Sequence, residues 1–385
     1  MRLVGRVRHD RTGLFRGVVA LSLVMTLLGC AAPVPLSPAG SASPSALGSA
    51  SPSVEAPSPT AGRSPSVTPP ASPSAQAGGG PGPAIVASTY NGPFAPHGLA
   101  FISATSGLIV GDSGATDRAV VGTTSDGGRT WKLAALDRPG LLDVTAAGGR
   151  AWVVMGCAPD GPSACVPSLL RSDDGGATWH ALPGTAYVAP TFRDREHGWA
   201  IDQSSLSTTG RATIVATDDG GLQWRPVAAP CPPGPEAPSR VGLFADGKGW
   251  VVCAGDGAAG SQGKAILATA DGGTTWRTLS FVGFQGGGIG GLPLGGIIET
   301  AGIVPAATGL LGTSHGSFRT ADGGQSWQEI GFGDPESHVI DAISLVDGRS
   351  GFILLREFDV AREILLATAD SGLTWRRVTG WSFPP

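Results

Sequence analysis

The chain has 385 residues, a net charge of −4 and only 15% charged residues, and Gly (61) and Pro (32) together make up about a quarter of it. That much Gly and Pro suggests low complexity, but ten Trp and a hydrophobic fraction of 41% exclude uniform disorder. The low content of charged residues argues against a coiled coil, and an acidic, lysine-poor composition argues against nucleic-acid binding.

The first 29 residues have the layout of a signal peptide. Five Arg against one acid, Asp10, precede an apolar run from Gly17 to Leu28, which is too short to span a bilayer comfortably. The run ends in Leu27-Leu28-Gly29-Cys30. This ending resembles the lipobox of bacterial lipoproteins, and the resemblance implies cleavage before Cys30 and a diacylglycerol group on its sulfur. The alternative is a chance Cys after an ordinary signal peptide.

Residues 30–84 form a linker of unusual composition. From Ala31 to Ala84 the chain is nearly all Ala, Ser, Pro, Gly and Thr, and only Glu55 and Arg63 are charged. Such a segment buries too little apolar surface to offset its ordering entropy, so we predict a disordered linker. It would reach roughly 40 Å as a coil and at most about 170 Å as polyproline II. It is either a stalk across the cell wall, with Ser and Thr open to O-glycosylation, or a passive linker.

A short motif, Thr/Ser-x-Asp-x-Gly-x-Thr/Ser/Gln-Trp, occurs six times at spacings of 45 to 52 residues. Asp followed by Gly is typical of hairpin turns, and the carboxylate can accept backbone N–H groups across the turn. The Trp that follows would cover the turn with a large apolar face. We interpret the six Asp residues as structural, because six equivalent turns around a ring cannot converge on one substrate; the alternative is a catalytic or calcium-binding role. They are Asp126, Asp174, Asp219, Asp271, Asp322 and Asp370.

Each motif ends a repeat of four short strands. An alternating apolar strand precedes it, and before that comes a Gly followed by a large apolar residue, as in Gly198-Trp199 and Gly249-Trp250. A further apolar strand, such as residues 339–346, opens the repeat. Four strands per repeat, repeated in a ring, predict an all-β protein with a β-propeller over residues 85–385. Six motifs predict six blades, with a seventh lacking the motif as the alternative. Residues 85–92 are expected to add a strand to the closing blade.

The motif resembles the Asp-box (BNR) repeat. Together with the Gly-Trp pairs, the Asp-Gly-Gly-x-Thr-Trp ending is similar to that of the photosystem II stability/assembly factor family of propellers, and the resemblance covers residues 85–385. Sialidases, sortilin-type receptors and some glucanases share the box. The resemblance implies a propeller and, as function, a non-enzymatic binding or assembly scaffold. A sialidase-like or glucanase-like glycoside hydrolase is the alternative, although only Tyr90 and Tyr187 are available as the tyrosine nucleophile of a sialidase.

Four Cys remain besides Cys30. Cys157 and Cys165 flank a Pro/Gly loop of the second repeat, and Cys231 and Cys253 lie in the fourth repeat. An exported location permits disulfides, and local pairing would join Cys157 to Cys165 and Cys231 to Cys253. A four-Cys metal site is the alternative, but the chain has no Cys-x-x-Cys. We therefore predict two disulfides, no metal site and no cofactor.

Propellers usually bind their ligands at one mouth of the central channel, where the innermost strands begin. In each repeat, we take the position eleven residues before the large residue that follows the Gly. This position is Val188 in the third repeat, Ser239 in the fourth, and a polar residue in the first, fifth and sixth. A shorter turn in the second repeat selects an Asp instead, and an Arg follows Ser239. The candidate ligand-binding residues are His97, Asp143, Arg240, Glu299 and Asp341. The alternative is a set of solvated strand ends. The Gly-rich insert 283–296 and the Pro-rich loop 229–238 are recognition loops or plain surface.

The sequence thus predicts a monomer at the outer face of the bacterial membrane, on the extracellular or periplasmic side. Cys30 would anchor it, and the channel mouth would hold a protein or a carbohydrate, but no nucleic acid. If the protein is instead a hydrolase, Glu299 and Asp341 are the pair of carboxylates to consider.

Overall fold

The computed structural model describes residues 81–114, 118–156, 167–184, 187–204, 212–227, 230–231, 237–244, 246–284, 287–304, 307–332 and 337–382. The predicted signal peptide, Cys30, nearly all of the predicted linker, and Cys157 with Cys165 lie outside the described residues. Within the described residues, every regular element is a β-strand. None of their segments is a helix with the length and apolarity needed to cross a bilayer.

The strands form six antiparallel sheets in chain order, and these are the blades of a β-propeller. Blade 1 consists of β3 (Ala95–Phe101), β4 (Gly107–Asp112), β5 (Arg118–Thr124) and β6 (Lys132–Pro139). Blade 2 consists of β7 (Leu141–Ala147), β8 (Arg150–Met155), β9 (Ser168–Ser172) and β10 (Thr178–Ala181). Blade 3 consists of β11 (Tyr187–Phe192), β12 (Gly198–Asp202), β13 (Thr213–Thr217) and β14 (Arg225–Pro226).

The second half of the ring repeats the pattern. Blade 4 consists of β15 (Ala237–Leu243), β16 (Gly249–Ala258), β17 (Ser261–Thr269) and β18 (Arg277–Val282), with β19 (Gly288–Ile289) added outside. Blade 5 consists of β20 (Ile298–Ile303), β21 (Gly309–Thr313), β22 (Gly316–Thr320) and β23 (Gln328–Ile330). Blade 6 consists of β24 (His338–Leu345), β25 (Gly351–Glu357), β26 (Arg362–Thr368) and β27 (Arg376–Ser382). The first strand of each blade contacts that of the next, and β24 contacts β3, so the ring is closed.

The N-terminal segment does not join the closing blade, contrary to the sequence expectation. Strand β1 (Ala84–Val86) pairs with β10 at the outer edge of blade 2, and β2 (Ser88–Thr89) pairs with β6 at the outer edge of blade 1. The physical reason is that β27 already supplies the fourth strand of blade 6. The N-terminal segment therefore satisfies its backbone groups at two other free edges.

Side-chain packing closes the ring between blades 6 and 1. The ring of Phe101 stacks on that of Phe352 with their centroids 3.5 Å apart, and Ser344 Oγ accepts a hydrogen bond of 2.7 Å from the Phe101 backbone N–H. Blades 2 and 3 make the equivalent contact, because Phe192 stacks on Trp152 at 3.6 Å. The first and last blades of the chain are thus joined by the same kind of aromatic stacking that joins blades 2 and 3, which follow each other in sequence.

The predicted disulfide between Cys231 and Cys253 is present, with the two Cα atoms 5.6 Å apart. It ties the segment before β15 to β16, where Cys253 is fully buried in the core between blades 3 and 4.

Each repeated turn is held by its own motif residues, as blade 2 illustrates. Ser172 Oγ donates to Asp174 Oδ1 at 2.8 Å and accepts from the Gly176 N–H at 2.8 Å. Thr178 donates its N–H to Asp174 Oδ1 and its hydroxyl to Oδ2, at 2.9 and 2.6 Å. Trp179 Nε1 donates to Gly176 O at 3.0 Å and covers the turn. The φ of +95° at Gly176 favours glycine there. Each of the six Asp side chains hydrogen-bonds within its own turn.

These turns predict a loss of stability in acid. Hydrogen bonds from the hydroxyl and then the backbone N–H of the Thr four residues on are the main cause that lowers the pKa of Asp126, Asp174 and Asp370 from 3.8 to about 2. The unfolded chain therefore binds protons first, so the free energy of unfolding should fall as the pH drops from about 4 to about 2. Urea unfolding midpoints measured across this range test it.

The triple Asn variant at these three positions keeps a side-chain acceptor in each turn and should flatten that part of the pH profile. Asp137→Asn is the matched control, because Asp137 is 97% exposed and lies on an outer strand. A triple variant with the wild-type profile would contradict the prediction.

Candidate functional site

The innermost strands β3, β7, β11, β15, β20 and β24 surround a central cavity of 310 Å³. In blade 2, the end of the inner strand, Ala147, pairs with Arg150, while the end of the third strand, Ser172, pairs with Ala151. Inner and third strands therefore end on the same side of the ring. The repeated turns follow the third strands, so they lie opposite the side where the inner strands begin. We call the latter side the mouth.

Every inner strand has a β-bulge near the mouth. The register shifts lie between Pro96 and Gly98, Leu141 and Asp143, Val188 and Thr191, Pro238 and Arg240, Ile298 and Thr300, and Ile340 and Ala342. A bulge inserts one unpaired residue and re-aims a side chain. His97, Glu299 and Asp341 are the inserted residues of blades 1, 5 and 6, whereas Asp143 and Arg240 directly follow the bulges of blades 2 and 4. Blade 3 places no charged residue at its bulge.

The structure brings the five candidate residues to one mouth. His97, Asp143, Arg240 and Asp341 line the cavity, and Glu299 lies beside them. Arg240 Nη1 donates to Ser239 O at 2.8 Å, and its Nη2 donates to Glu299 O. Burial raises the pKa of Asp143, and the charge of Arg240 counteracts it. Burial and then the charge of Asp341 raise the pKa of Glu299. The six Asp residues of the repeated turns lie on the opposite side.

Two further charged residues at the mouth were missed from the sequence. Arg356 Nε donates to Glu363 Oε1 at 2.8 Å, and Arg356 Nη2 donates to Asp341. Glu363 is only 1% exposed, and burial, followed by the charge of Asp341, raises its pKa far above its usual range. Arg356 and Glu363 are cross-strand partners on β25 and β26. Opposite charges placed symmetrically about the 357–362 hairpin are the signal that would have indicated them.

His97 also has a partner that sequence reasoning did not select. Its Nε2 lies 3.0 Å from Asp112 Oδ2 at the end of β4. Within the part of the chain that the structure describes, no three His, Cys, Asp or Glu side chains are grouped so as to hold a metal ion.

The Gly-rich insert is tied to blade 4. Lys264 Nζ, which is buried, lies 2.9–3.3 Å from the backbone carbonyl oxygens of Gln262, Pro293, Leu294 and Gly295. Gln262 Oε1 also accepts from the Ile298 N–H at 2.9 Å, directly after the insert. The end of the insert is thus a fixed part of the mouth side. Most of the Pro-rich loop 229–238 lies outside the described residues.

No protein-family model and no curated protein matches the chain. Among solved structures it is similar to YCF48 from Cyanidioschyzon merolae, with 17% identity over 76% of this chain and 88% of that chain and a TM-score of 0.43. A structure of YCF48 bound to D1 peptide has 18% identity over 75% and 96% of the two chains, with a TM-score of 0.42. The GH74 xyloglucanase from Xanthomonas campestris has 15% identity over 72% and 45%, with a TM-score of 0.45.

Proposed function

We propose that this protein is an exported, lipid-anchored scaffold that holds a protein or glycan partner at the mouth of its propeller. The observation that carries the proposal is the convergence of charged residues from five separate blades, His97, Asp143, Arg240, Glu299 and Asp341, at the entrance of one cavity. Anchoring through Cys30 and the predicted linker would tether the propeller to the membrane.

The geometry suits binding because the polar groups are carried by strands. Bulge residues on paired strands keep their positions without a partner, so little ordering entropy is lost when a ligand binds. A cavity of 310 Å³ is at the lower end of ligand-pocket sizes. It admits a side chain, a short peptide segment or a sugar unit, while the rest of the partner would lie on the rim.

Photo-cross-linking from the mouth tests this function. A benzoylphenylalanine replacing Glu299 in the full chain, expressed in its host membrane, should give a discrete cross-linked partner. The same group replacing Asp137, which is 97% exposed on an outer strand, is the matched control and should give none. Equal products from both positions, or none from position 299, would contradict the proposed function.

A glycoside hydrolase is the second candidate, and one observation favours it. Burial, and then the nearby charge of Asp341, raise the pKa of Glu299, as a general acid beside a second carboxylate requires. Release of nitrophenol from aryl glycosides by the wild type, abolished by Glu299→Gln, would favour this candidate over the scaffold.

A further inference from the structure

The mouth carries more carboxyl groups than cationic groups. Asp112 pairs with His97, while Asp341 and Glu363 share Arg356. The remaining cation, Arg240, donates to the backbone carbonyls of Ser239 and Glu299 rather than to a carboxylate. The carboxyl groups concerned are those of Asp112, Asp143, Glu299, Asp341 and Glu363.

Asp143 and Glu299 therefore contact no cationic side chain among the described residues. Asp143 Oδ1 accepts from the adjacent Val144 N–H at 2.8 Å, and Glu299 lies at the rim. Burial raises the pKa of both groups, and at Glu299 the charge of Asp341 adds to this; the charge of Arg240, and at Glu299 also that of Arg356, counteracts the effect only in part. A cation brought by a ligand would supply the missing compensation.

A second, independent feature lies deeper in the cavity. Trp250 belongs to β16, and among the described residues it is the only one from the second strand of a blade that lines the cavity. Gly242, its cross-strand partner on β15, leaves room for the indole ring of Trp250, because a Cβ atom at Gly242 would lie 2.3 Å from Trp250 Nε1. Trp250 is 5% exposed, and its indole N–H has no hydrogen-bond acceptor within the described residues.

The equivalent Trp of blade 2 is satisfied. Trp152 Nε1 donates to Gly220 O in the repeated turn of blade 3, at 3.0 Å. The buried N–H of Trp250 lacks such a bond, and a buried donor without an acceptor costs about 1–3 kcal/mol. A ligand oxygen beside Gly242 would satisfy it.

We infer that the mouth binds a basic, extended peptide segment of a protein partner, with a Lys or Arg head group attracted by the excess of carboxyl groups at the mouth and a backbone carbonyl oxygen on Trp250 Nε1. The inference rests on the proposed function and specifies its partner. Gly242 lies two residues beyond Arg240 on β15, about 7 Å at the usual rise of a strand. Trp250 therefore lies about one Lys or Arg side-chain length below the level of the bulge on β15. A neutral sugar would leave the carboxylates uncompensated.

Fluorescence anisotropy with the full chain tests the inference. The probe is a labelled Ala-Gly-Lys-Gly-Ala peptide, compared with peptides carrying norleucine or Glu in place of Lys. The Lys peptide should bind best, and more weakly as salt is added. The double variant Asp143→Asn, Glu299→Gln should weaken its binding about tenfold, and Trp250→Phe about two- to tenfold. Asp137→Asn should leave the affinity unchanged.

Melting curves show which variants fold. The carboxyl double variant and Trp250→Phe change different groups, so one of them remains informative if the other is unstable. Equal binding of the Lys and norleucine peptides would overturn the inference. Displacement of the probe by chitotetraose but not by unlabelled Lys peptide would overturn it in favour of a glycan. If either of these results is found together with a cross-linked partner from position 299, the inference is wrong but the proposed function stands. If no partner is cross-linked from position 299, the inference and the proposed function are both wrong.

Discussion

Replacing Phe101 with Ala should lower the free energy of unfolding by about 3–5 kcal/mol, as is usual for a buried Phe. Phe101 is 6% exposed and stacks on Phe352 across the only junction where the two ends of the ring meet within the described chain. It also meets Trp131 edge-on at 6.0 Å. Removing the ring leaves a cavity at a junction that no continuous stretch of chain supports.

Phe192→Ala is a matched control for this variant. Phe192 occupies the same strand position in blade 3, is also 6% exposed, and stacks on Trp152 of the preceding blade. Denaturant unfolding should give similar losses of stability for both variants. Hydrogen exchange should separate them, because only Phe101→Ala should speed exchange in β3, β24 and β25 beyond the global change. Identical exchange patterns would show that the closing junction is no weaker than the others.

Lys264→Met should destabilise the protein by about 1.5–3 kcal/mol, the usual contribution of hydrogen bonds to a charged group. Lys264 is 1% exposed, and four backbone carbonyls surround its ammonium group. Burial lowers the pKa of Lys264 to about 8, so the ammonium form still predominates at neutral pH. Met matches the length of the side chain but leaves those carbonyls without this donor.

Lys248→Met is the control for Lys264→Met, because Lys248 is about half exposed and pairs with Asp246 at the surface. Its effect should stay within about 0.5 kcal/mol. Cleavage by chymotrypsin at the exposed Phe284 in the Gly-rich insert should become faster in Lys264→Met alone. Unchanged cleavage together with unchanged unfolding would mean that Lys264 does not hold the insert.

Most of the blade architecture could be predicted from the sequence, because each repeated turn is built from local contacts. In every turn, the Asp bonds groups within four residues of itself, so the motif specifies the turn without the rest of the fold. The number of motifs therefore predicted the number of blades. The Cys231–Cys253 pair was also predicted, because its 22-residue separation allows local pairing.

The candidate mouth was found by counting residues, and the reason the count works is visible only in the structure. His97, Glu299 and Asp341 are bulge residues, and a bulge depends on how a strand pairs with its neighbour rather than on its own side chains. The same limit explains why the N-terminal segment was assigned to the wrong blade. Which sheet edge stays free is decided only when the ring closes.

The sequence by itself determined the four-stranded repeats, the number of blades and the end of the channel at which polar residues gather, because those features depend on short-range chemistry repeated along the chain. The tertiary structure decided how the charges at the mouth are shared, which edge the N-terminal strands extend, and that Trp250 reaches the cavity through the gap at Gly242. These depend on residues far apart in sequence that meet only when blades pack together. Burial then changes what their polar groups require.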